Sequence, residues 1–163
     1  MLFTHESLSG YTKFKEHAVL LFLIHNQQVL LIEKLRGMGS GLVNGPGGRL
    51  EPGESYAEAA IRETQEEVCV QVHDPLHRGN LGFFFDDGYS LYGQVFIGTQ
   101  FSGTPQPTAE AIPFWCPMDQ VPYHRMWSDD RLWLPDLLAG VFTEGVFGFR
   151  AQTMLWAQLS FNP

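Results

Sequence analysis

Helical periodicity is strongest between residues 57 and 68, where small and apolar side chains recur at intervals of three and four positions. The stripe consists of Ala57, Ala60, Ile61, Thr64 and Val68. Because such spacing places these residues on one side of an α-helix, the pattern predicts an amphipathic helix that packs this side on a core.

Strand-like runs precede and follow the predicted helix. Residues 17–24 and 28–33 are apolar runs on either side of His25-Asn26-Gln27, which predicts a β-hairpin. Asp86-Asp87-Gly88 is a strong signal for a second hairpin turn. The later strand-like runs are residues 68–72, 81–85, 90–99 and 112–116, followed by 145–149 and 153–159 as a C-terminal hairpin.

The remaining segments complete the predicted fold. Residues 34–48 are rich in glycine, so the backbone there can turn tightly or approach a ligand closely. A short second helix is predicted within residues 128–139, where Pro135 would kink or open its interior. Residues 1–15 show no period and are expected to be a loosely held lead-in. Strands interrupted by two helices predict an α+β fold, an α/β/α sandwich with a mixed central sheet.

Length and composition fit one globular domain spanning residues 1–163. The chain has 163 residues, of which 44% are hydrophobic, enough for a sizeable core. Its formal net charge of −8 argues against binding to duplex nucleic acid, which requires a basic surface.

The cysteine content favours a reducing compartment, and the hydropathy pattern gives no membrane-spanning run. Cys69 and Cys116 are the only cysteines in the sequence, so no disulfide framework is implied, and both are expected to be buried. The apolar run at residues 18–24 is too short to span a bilayer. We therefore expect a cytoplasmic monomer that does not contact membranes.

Glu63, Glu66 and Glu67 lie together on another face of the predicted helix. Like charges at this spacing destabilise a helix by roughly a few tenths of a kcal/mol per pair, and no Lys or Arg is expected on that face to relieve them. A hard divalent cation neutralises such a cluster best, because Mg²⁺ takes oxygen ligands and bridges carboxylates to phosphates. The alternative is a solvated acidic face.

The sequence around the glutamates extends this pattern. Residues 48–70 follow Gly-x5-Glu-x7-Arg-Glu-U-x-Glu-Glu-x-Gly-U, where U is apolar, at almost every fixed place. This stretch resembles the signature of the Nudix hydrolases, and the resemblance implies a Nudix fold with a Mg²⁺ or Mn²⁺ cofactor. Cys69 stands where the signature has glycine. If that glycine serves a positive φ, a cysteine costs roughly 1 kcal/mol at the helix end.

The same resemblance assigns roles to the acidic stretch. The implied metal ligands are the carbonyl of Gly48 and the carboxylates of Glu63, Glu66, Glu67 and Glu110, the last of which reaches the site from a loop. One of the helix glutamates would also be the general base. Arg62 is the fourth implied catalytic residue and would orient these carboxylates rather than touch phosphate.

Beyond this stretch, the chain is similar to the branch of the family that hydrolyses oxidised purine nucleoside triphosphates. The matching segments are Lys34-x-Arg36-Gly37, Asn44-Gly45-x-Gly47-Gly48, Gly103-Thr104-Pro105 with Glu110, and Met126-Trp127-Ser128-Asp129-Asp130 with Trp133 and Pro135. The residues implied in substrate binding are Lys34, Met38, Asn44, Phe83, Phe85, Trp127, Asp129 and Asp130. Met38, Val43, Arg49 and Val19 differ from the branch, which leaves the base preference open.

These pocket residues also have structural interpretations. Trp127 offers a face on which a purine can stack, worth on the order of 1 to 3 kcal/mol, but a tryptophan alone is more often part of a core or its rim. Asp129 and Asp130 fit a helix N-terminus, where acids complement the dipole. In a partly dry pocket, however, two adjacent carboxyls should differ in proton affinity, so that one donates a hydrogen bond and the other accepts one.

The predicted reaction is Mg²⁺-dependent hydrolysis of an oxidised purine nucleoside triphosphate to the monophosphate and pyrophosphate, a nucleotide-pool sanitation activity. One alternative is a Nudix hydrolase for ordinary dNTPs, dinucleoside polyphosphates or nucleotide sugars. Another is a non-catalytic nucleotide-sensing module. Such modules usually lose glutamates of the signature, whereas all are present here.

Overall fold

The computed structural model describes residues 14–162 of the chain. In chain order, its elements are β1 (Glu16–His25), β2 (Gln28–Lys34), β3 (Val43–Asn44), β4 (Gly47–Arg49), α1 (Tyr56–Val68), β5 (Gln71–His73), β6 (Leu76–Phe85), β7 (Ser90–Gly98), β8 (Gln100–Ser102), β9 (Ala111–Pro117), a short 3-10 helix (Tyr123–Arg125), α2 (Asp130–Leu138), β10 (Phe142–Arg150) and β11 (Thr153–Asn162). Within residues 14–162, neither helix has the length and apolarity that a membrane crossing requires. The predicted hairpins and both predicted helices are confirmed.

The expected single strand at residues 68–72 is wrong. The helix α1 runs to Val68, and β5 begins only at Gln71. Between them, Cys69 adopts the left-handed conformation with a φ of 64°, and its backbone N–H donates to the Gln65 carbonyl. The positive φ expected at this position is therefore present on a residue that favours it less than glycine does. Cys69 is also exposed, contrary to the expectation of burial, whereas Cys116 is buried.

Two other strands are longer than predicted. The strand β6 begins at Leu76, five residues before the predicted start at residue 81. The prediction missed this part of the strand because a register irregularity between His77 and Gly79 interrupts the alternation of polar and apolar residues. The start of β10 lies at Phe142 instead of residue 145. Residues 1–13 of the predicted lead-in lie outside the described residues, but Phe14 is buried and packs on aromatic rings of β6 and β7.

The strands of the described residues form a large mixed sheet and a small one. The large sheet has the order β11-β10-β6-β7-β1-β2-β3, with β4 paired to β1 and β9 paired to β2, while β5 and β8 pair separately. β1 runs parallel to β7, and β10 runs parallel to β6. The other pairs are antiparallel.

Alternating residues of β1 show that the two helices cover opposite faces of this sheet. Leu21 and Leu23 belong to the apolar cluster that contains Ala59, Ala60 and Val68 of α1. Phe22, pointing the other way, belongs to the cluster that contains Trp133 and Leu134 of α2. The predicted α/β/α sandwich with a mixed central sheet is confirmed.

The buried side of α1 is rotated slightly from the predicted stripe. Ala59 is fully buried, whereas Ala57 and Ile61 are only half-buried. The rotation brings Glu67 to the buried side, beside Thr64 and Val68. One glutamate of the acidic stretch is thereby placed inside the protein rather than on a solvated face.

Candidate active site

The start of α1 is fixed by a side-chain cap. Ser55 Oγ accepts a hydrogen bond from the Glu58 backbone N–H at 3.1 Å, which satisfies one of the free N–H groups of the first turn. Just before it, a Glu54 carboxylate oxygen accepts from the Glu51 N–H at 3.0 Å. These bonds hold the turn that leads from β4 into the helix, and with it the carboxylate of Glu54.

The Arg62 guanidinium joins several carboxylates of this region. It donates to Glu54 at 2.6 and 2.9 Å, to Glu63 at 3.0 Å and to Glu66 at 3.2 Å, and also to the Arg49 carbonyl at 3.0 Å. The expectation that no cation relieves the helix glutamates is therefore wrong for Glu63 and Glu66, because the long arginine side chain reaches around the helix. The bond from Arg62 also lowers the pKa of Glu54.

Glu67 lies deeper than its neighbours. Its side chain is buried, and its Oε1 accepts from the Gly47 backbone N–H at 3.4 Å. Burial, and then the charge of Glu63, raises the pKa of Glu67 to about 8. Burial also raises the pKa of Glu63, in opposition to its bond with Arg62. A cation at this cluster would favour the ionised forms that burial disfavours.

Three carboxylates meet at one point of the structure. Oxygen atoms of Glu63, Glu67 and Glu110 lie within 4.8 Å of one another. Glu66 does not belong to this group, since its exposed carboxylate is paired with Arg62. A set of carboxylate oxygens suits a hard divalent cation. The residues present therefore fit a metal site that contains three of the four predicted carboxylates, Glu63, Glu67 and Glu110.

The backbone of β4 lies directly against this cluster. A Cβ atom on Gly48 would overlap the Glu63 carboxylate, and one on Gly47 would overlap the Val19 carbonyl oxygen. The close approach thus requires glycine at both positions. The role of the Gly48 carbonyl as a metal ligand stays a prediction.

A cleft brings this cluster together with the predicted base pocket. Both Glu67 of the cluster and Gly48 of β4 line it. All eight residues predicted to bind substrate also line it, namely Lys34, Met38, Asn44, Phe83, Phe85, Trp127, Asp129 and Asp130. Arg62, Glu63, Glu66 and Glu110 do not line this cleft. The predicted residues therefore form two neighbouring sets that share Glu67.

Aromatic rings fix the orientation of Trp127. Its indole meets the rings of Phe85 and Phe149 edge-on, with centroids at 6.4 Å and 5.5 Å. The glycine-rich loop packs on the same indole, because a Cβ atom on Gly39 would lie only 2.7 Å from Trp127 Nε1. Trp127 is only half-buried. A tryptophan held in this way can present a preformed surface to a flat ligand.

Asp129 and Asp130 are buried in the cleft wall. Trp133 Nε1 donates to Asp129 Oδ2 at 2.8 Å, whereas Asp129 Oδ1 and Asp130 Oδ2 have no hydrogen-bond partner among the described residues. Burial raises the pKa of Asp129 to about 6, although the Trp133 bond opposes it. Burial and the charge of Asp129 raise the pKa of Asp130 well above its usual range.

Asp129 and Asp130 lie at the N-terminus of α2, as their structural interpretation expects, with Asp130 in the first turn. Asp129 is the N-cap residue of α2, yet its side chain makes no capping hydrogen bond. Burial and mutual repulsion oppose the ionisation of both carboxyls at once, which fits the expectation that one carries a proton while the other is ionised. Their unpartnered oxygens are available to a ligand in the cleft.

With metal chelated, the free energy of unfolding is expected to fall as pH rises from 5 to 8. Asp129 and Glu67 have pKa values of about 6 and about 8 in the folded protein, above the ordinary values near 4 of an unfolded chain. Between these limits the folded state holds protons that the unfolded state has lost, so stability is greatest at low pH and is lost as pH rises through the folded values. Since one proton held by the folded state alone is worth about 1.4 kcal/mol per pH unit, we expect a decrease of roughly 3 to 6 kcal/mol, measured by urea unfolding in EDTA.

Glu67→Gln provides the control for this profile. Glutamine cannot titrate, so the variant should lose less stability than the native protein between pH 6 and 8. The difference between the two curves reports the titration of Glu67 together with its effect on the neighbouring Glu63. Parallel curves would contradict the raised pKa of Glu67.

Sequence reasoning missed several residues of the cleft wall. Arg49 and Tyr89 line it and lie close to each other, with Arg49 Nη2 at 3.4 Å from the Tyr89 hydroxyl. Leu91 and Gln94 of β7 line it too. The position of Arg49, directly after Gly48, is a signal that could have identified it. The residues of β7 could not be found, because their proximity arises from pairing with β6.

Known proteins resemble this chain over most of its length. The family described as the NUDIX domain matches residues 15–137. The chain is 36% identical over 138 residues to a zebrafish (Danio rerio) protein named oxidized purine nucleoside triphosphate hydrolase, which covers 83% of this chain and 88% of the relative. The mouse (Mus musculus) protein of the same name is 37% identical over 135 residues, with 82% and 86% covered.

A solved structure agrees with this assignment. A MutT protein from Bacillus halodurans superposes with a TM-score of 0.78 at 26% identity, covering 89% of this chain and 97% of that protein. The segment matched by the family contains α1, Glu110, Trp127 and both cleft aspartates. This chain therefore belongs to the NUDIX family.

Proposed function

We propose that this protein hydrolyses oxidised purine nucleoside triphosphates to the monophosphate and pyrophosphate in a Mg²⁺-dependent reaction, and so removes damaged nucleotides from the precursor pool. The observation that carries this proposal is the buried Asp129–Asp130 pair beside Trp127, in a cleft that also reaches Glu67. The names of the zebrafish and mouse relatives support the same substrate class.

Base recognition follows from the hydrogen-bonding chemistry of the pocket. An 8-oxo group converts N7 of guanine from an acceptor into an N–H donor. An ionised carboxylate can therefore accept a hydrogen bond from N7 of the oxidised base but not from N7 of the normal base. A protonated neighbour donates to a carbonyl oxygen of the base. Because the free oxygens of Asp129 and Asp130 are buried, a base that cannot pair with them leaves polar groups unsatisfied, at a cost of about 1 to 3 kcal/mol.

The acidic cluster would hold the metal at the phosphate end. Glu63, Glu67 and Glu110, with the Gly48 carbonyl, are the ligands that we propose, and Glu66 becomes available if Arg62 releases it. When bound, Mg²⁺ lowers the pKa of water and neutralises charge that develops on the phosphates. One glutamate of this set accepts the proton of the attacking water.

Cations near the cluster fit contact with the phosphates. Lys34 lines the cleft. Burial raises the pKa of Glu67, and the positive charge of Lys34 opposes this effect. Arg36 donates to Glu110 at 2.8 Å from an exposed position. We propose Lys34 as the phosphate contact within the cleft. Arg36 is the second candidate, and contact with phosphate would require it to exchange its bond with Glu110.

A hydrolysis assay with Mg²⁺ across nucleotides tests the proposed function. We expect kcat/KM for 8-oxo-dGTP and 2-hydroxy-dATP to exceed that for dGTP and dCTP by tens to thousands of fold, because unpaired buried groups discriminate strongly. Dinucleoside polyphosphates and nucleotide sugars belong in the same panel. Equal values for oxidised and normal purines would refute the preference, and activity only on another class would identify a different Nudix hydrolase.

A further inference from the structure

The loop before β9 carries Glu110 into the carboxylate cluster. Residues 103–110 have no regular secondary structure, yet Glu110 lies within 4.8 Å of Glu63 and Glu67. An irregular segment has many accessible conformations, so holding its carboxylate against α1 costs conformational entropy unless specific bonds fix the loop.

Thr108 makes the bonds that couple this loop to α1. Its hydroxyl donates to the Glu67 carbonyl at 2.7 Å and accepts from the Glu110 backbone N–H at 3.2 Å. One hydroxyl group thus links the backbones of two residues of the cluster. The Gln106 N–H, which donates to the Val68 carbonyl at 3.0 Å, holds the same loop closer to β8 but does not reach Glu110.

Contacts on the other side of Glu110 are less constraining. Arg36 pairs with its carboxylate at 2.8 Å, but the Arg36 side chain is 62% exposed. Exposed ion pairs contribute little and are screened by salt. The Leu35 N–H donates to the Glu110 carbonyl at 2.9 Å and fixes the backbone but not its distance from α1. The partly buried hydroxyl of Thr108 is the contact that joins Glu110 to the helix.

We propose that Thr108 is a positioning residue that holds Glu110 against Glu63 and Glu67 for metal binding. This rests on the proposed function, in which that cluster binds the metal. Thr108 acts through Glu110 and touches neither metal nor substrate. Without its hydroxyl, Glu110 spends less time within the cluster, and the metal binds more weakly.

Paired substitutions at Thr108 test this inference through metal affinity. Thr108→Val removes the hydroxyl while keeping the shape, whereas Thr108→Ser keeps the hydroxyl. We expect Val to raise the dissociation constant for Mn²⁺ in the nucleotide-free protein about tenfold, and Ser to change it less than about twofold, since groups that orient metal ligands act on this scale. Electron paramagnetic resonance of free Mn²⁺ measures this constant. Saturating Mg²⁺ should restore most of kcat to the Val variant.

Thr143→Val is the matched control, because the buried Thr143 Oγ1 has no hydrogen-bond partner among the described residues. It should leave Mn²⁺ affinity unchanged. Metal-free melting curves establish that each variant is folded, and Thr108→Ala replaces Thr108→Val if the latter does not fold. In a Glu110→Gln background, Thr108→Val should add little further loss, as expected for two residues that act as a unit.

Two outcomes separate the inference from the proposed function. If Thr108→Val binds Mn²⁺ as tightly as the native protein while Glu110→Gln binds it weakly, the positioning role of Thr108 is refuted and the metal site stands. If Glu110→Gln also binds Mn²⁺ like the native protein, the role of Glu110 in the proposed metal site fails, and the inference fails with it.

Discussion

Replacing Glu67 by glutamine is expected to abolish hydrolysis while leaving the protein folded. Glu67 is the carboxylate shared by the acidic cluster and the cleft. A metal that has lost this ligand supplies several kcal/mol less transition-state stabilisation, which corresponds to roughly a thousandfold or more in kcat. Stability should not suffer, because burial already keeps the Glu67 carboxyl mostly protonated at neutral pH and glutamine is a neutral side chain of the same shape.

Melting curves distinguish the loss of metal from the loss of fold. Millimolar Mg²⁺ should raise the melting temperature of the native protein, since the ion binds only the folded cluster, and should not raise that of Glu67→Gln. The control is Glu58→Gln, an exposed glutamate of the same helix, which should keep both activity and the Mg²⁺ response. Turnover of Glu67→Gln within about tenfold of the native value would rule out Glu67 as an essential ligand.

Substitution of either cleft aspartate by asparagine is expected to reduce turnover of oxidised purines and to spare the metal site. Asparagine can neither ionise nor exchange a proton with its neighbour, so the division of donor and acceptor between Asp129 and Asp130 is lost. We expect kcat/KM for 8-oxo-dGTP to fall by about tenfold to a thousandfold for each variant. The rise in melting temperature with Mg²⁺ should stay at the native value.

Asp136→Asn controls for a general effect on α2. Asp136 lies on the exposed side of that helix, so its replacement should leave kcat/KM unchanged. The decisive measurement is the ratio of kcat/KM for 8-oxo-dGTP to kcat/KM for dGTP. A variant that is only destabilised loses activity on the two nucleotides in equal proportion, so this ratio stays at the native value. If Asp129→Asn and Asp130→Asn both retain the native ratio, base recognition by this pair is refuted.

Local patterns were sufficient to predict the helix of the acidic stretch but not its rotation. The periodic pattern predicts that all glutamates of the helix face solvent. In the structure, Ala59 packs against the sheet, and the resulting rotation of the helix buries Glu67. Residue spacing did not indicate the bond between Arg62 and Glu66, because it ignores the reach of a guanidinium, and only the family resemblance implied that Arg62 orients these carboxylates. The amphipathic pattern predicts that a face is buried, while tertiary contacts decide which residues form its edges.

Long-range pairing limited the prediction of the sheet and the cleft. The parallel alignment of β1 with β7 joins segments that are far apart in sequence, and nothing local predicts it. The strand β4 has only the residues Gly47–Arg49, too few for any period to show. Motif resemblance did identify residues on both sides of the cleft, because it carries information about distant contacts that hydrophobic periodicity lacks.

The glycine pair of β4 has a consequence for the variation that this protein tolerates. Any side chain at Gly47 collides with the carbonyl oxygen of Val19, and any side chain at Gly48 collides with the Glu63 carboxylate. Neither obstacle is a flexible chain end that can swing aside, since one is strand backbone and the other is held by Arg62. A random-mutagenesis library selected for activity should therefore return both codons as glycine.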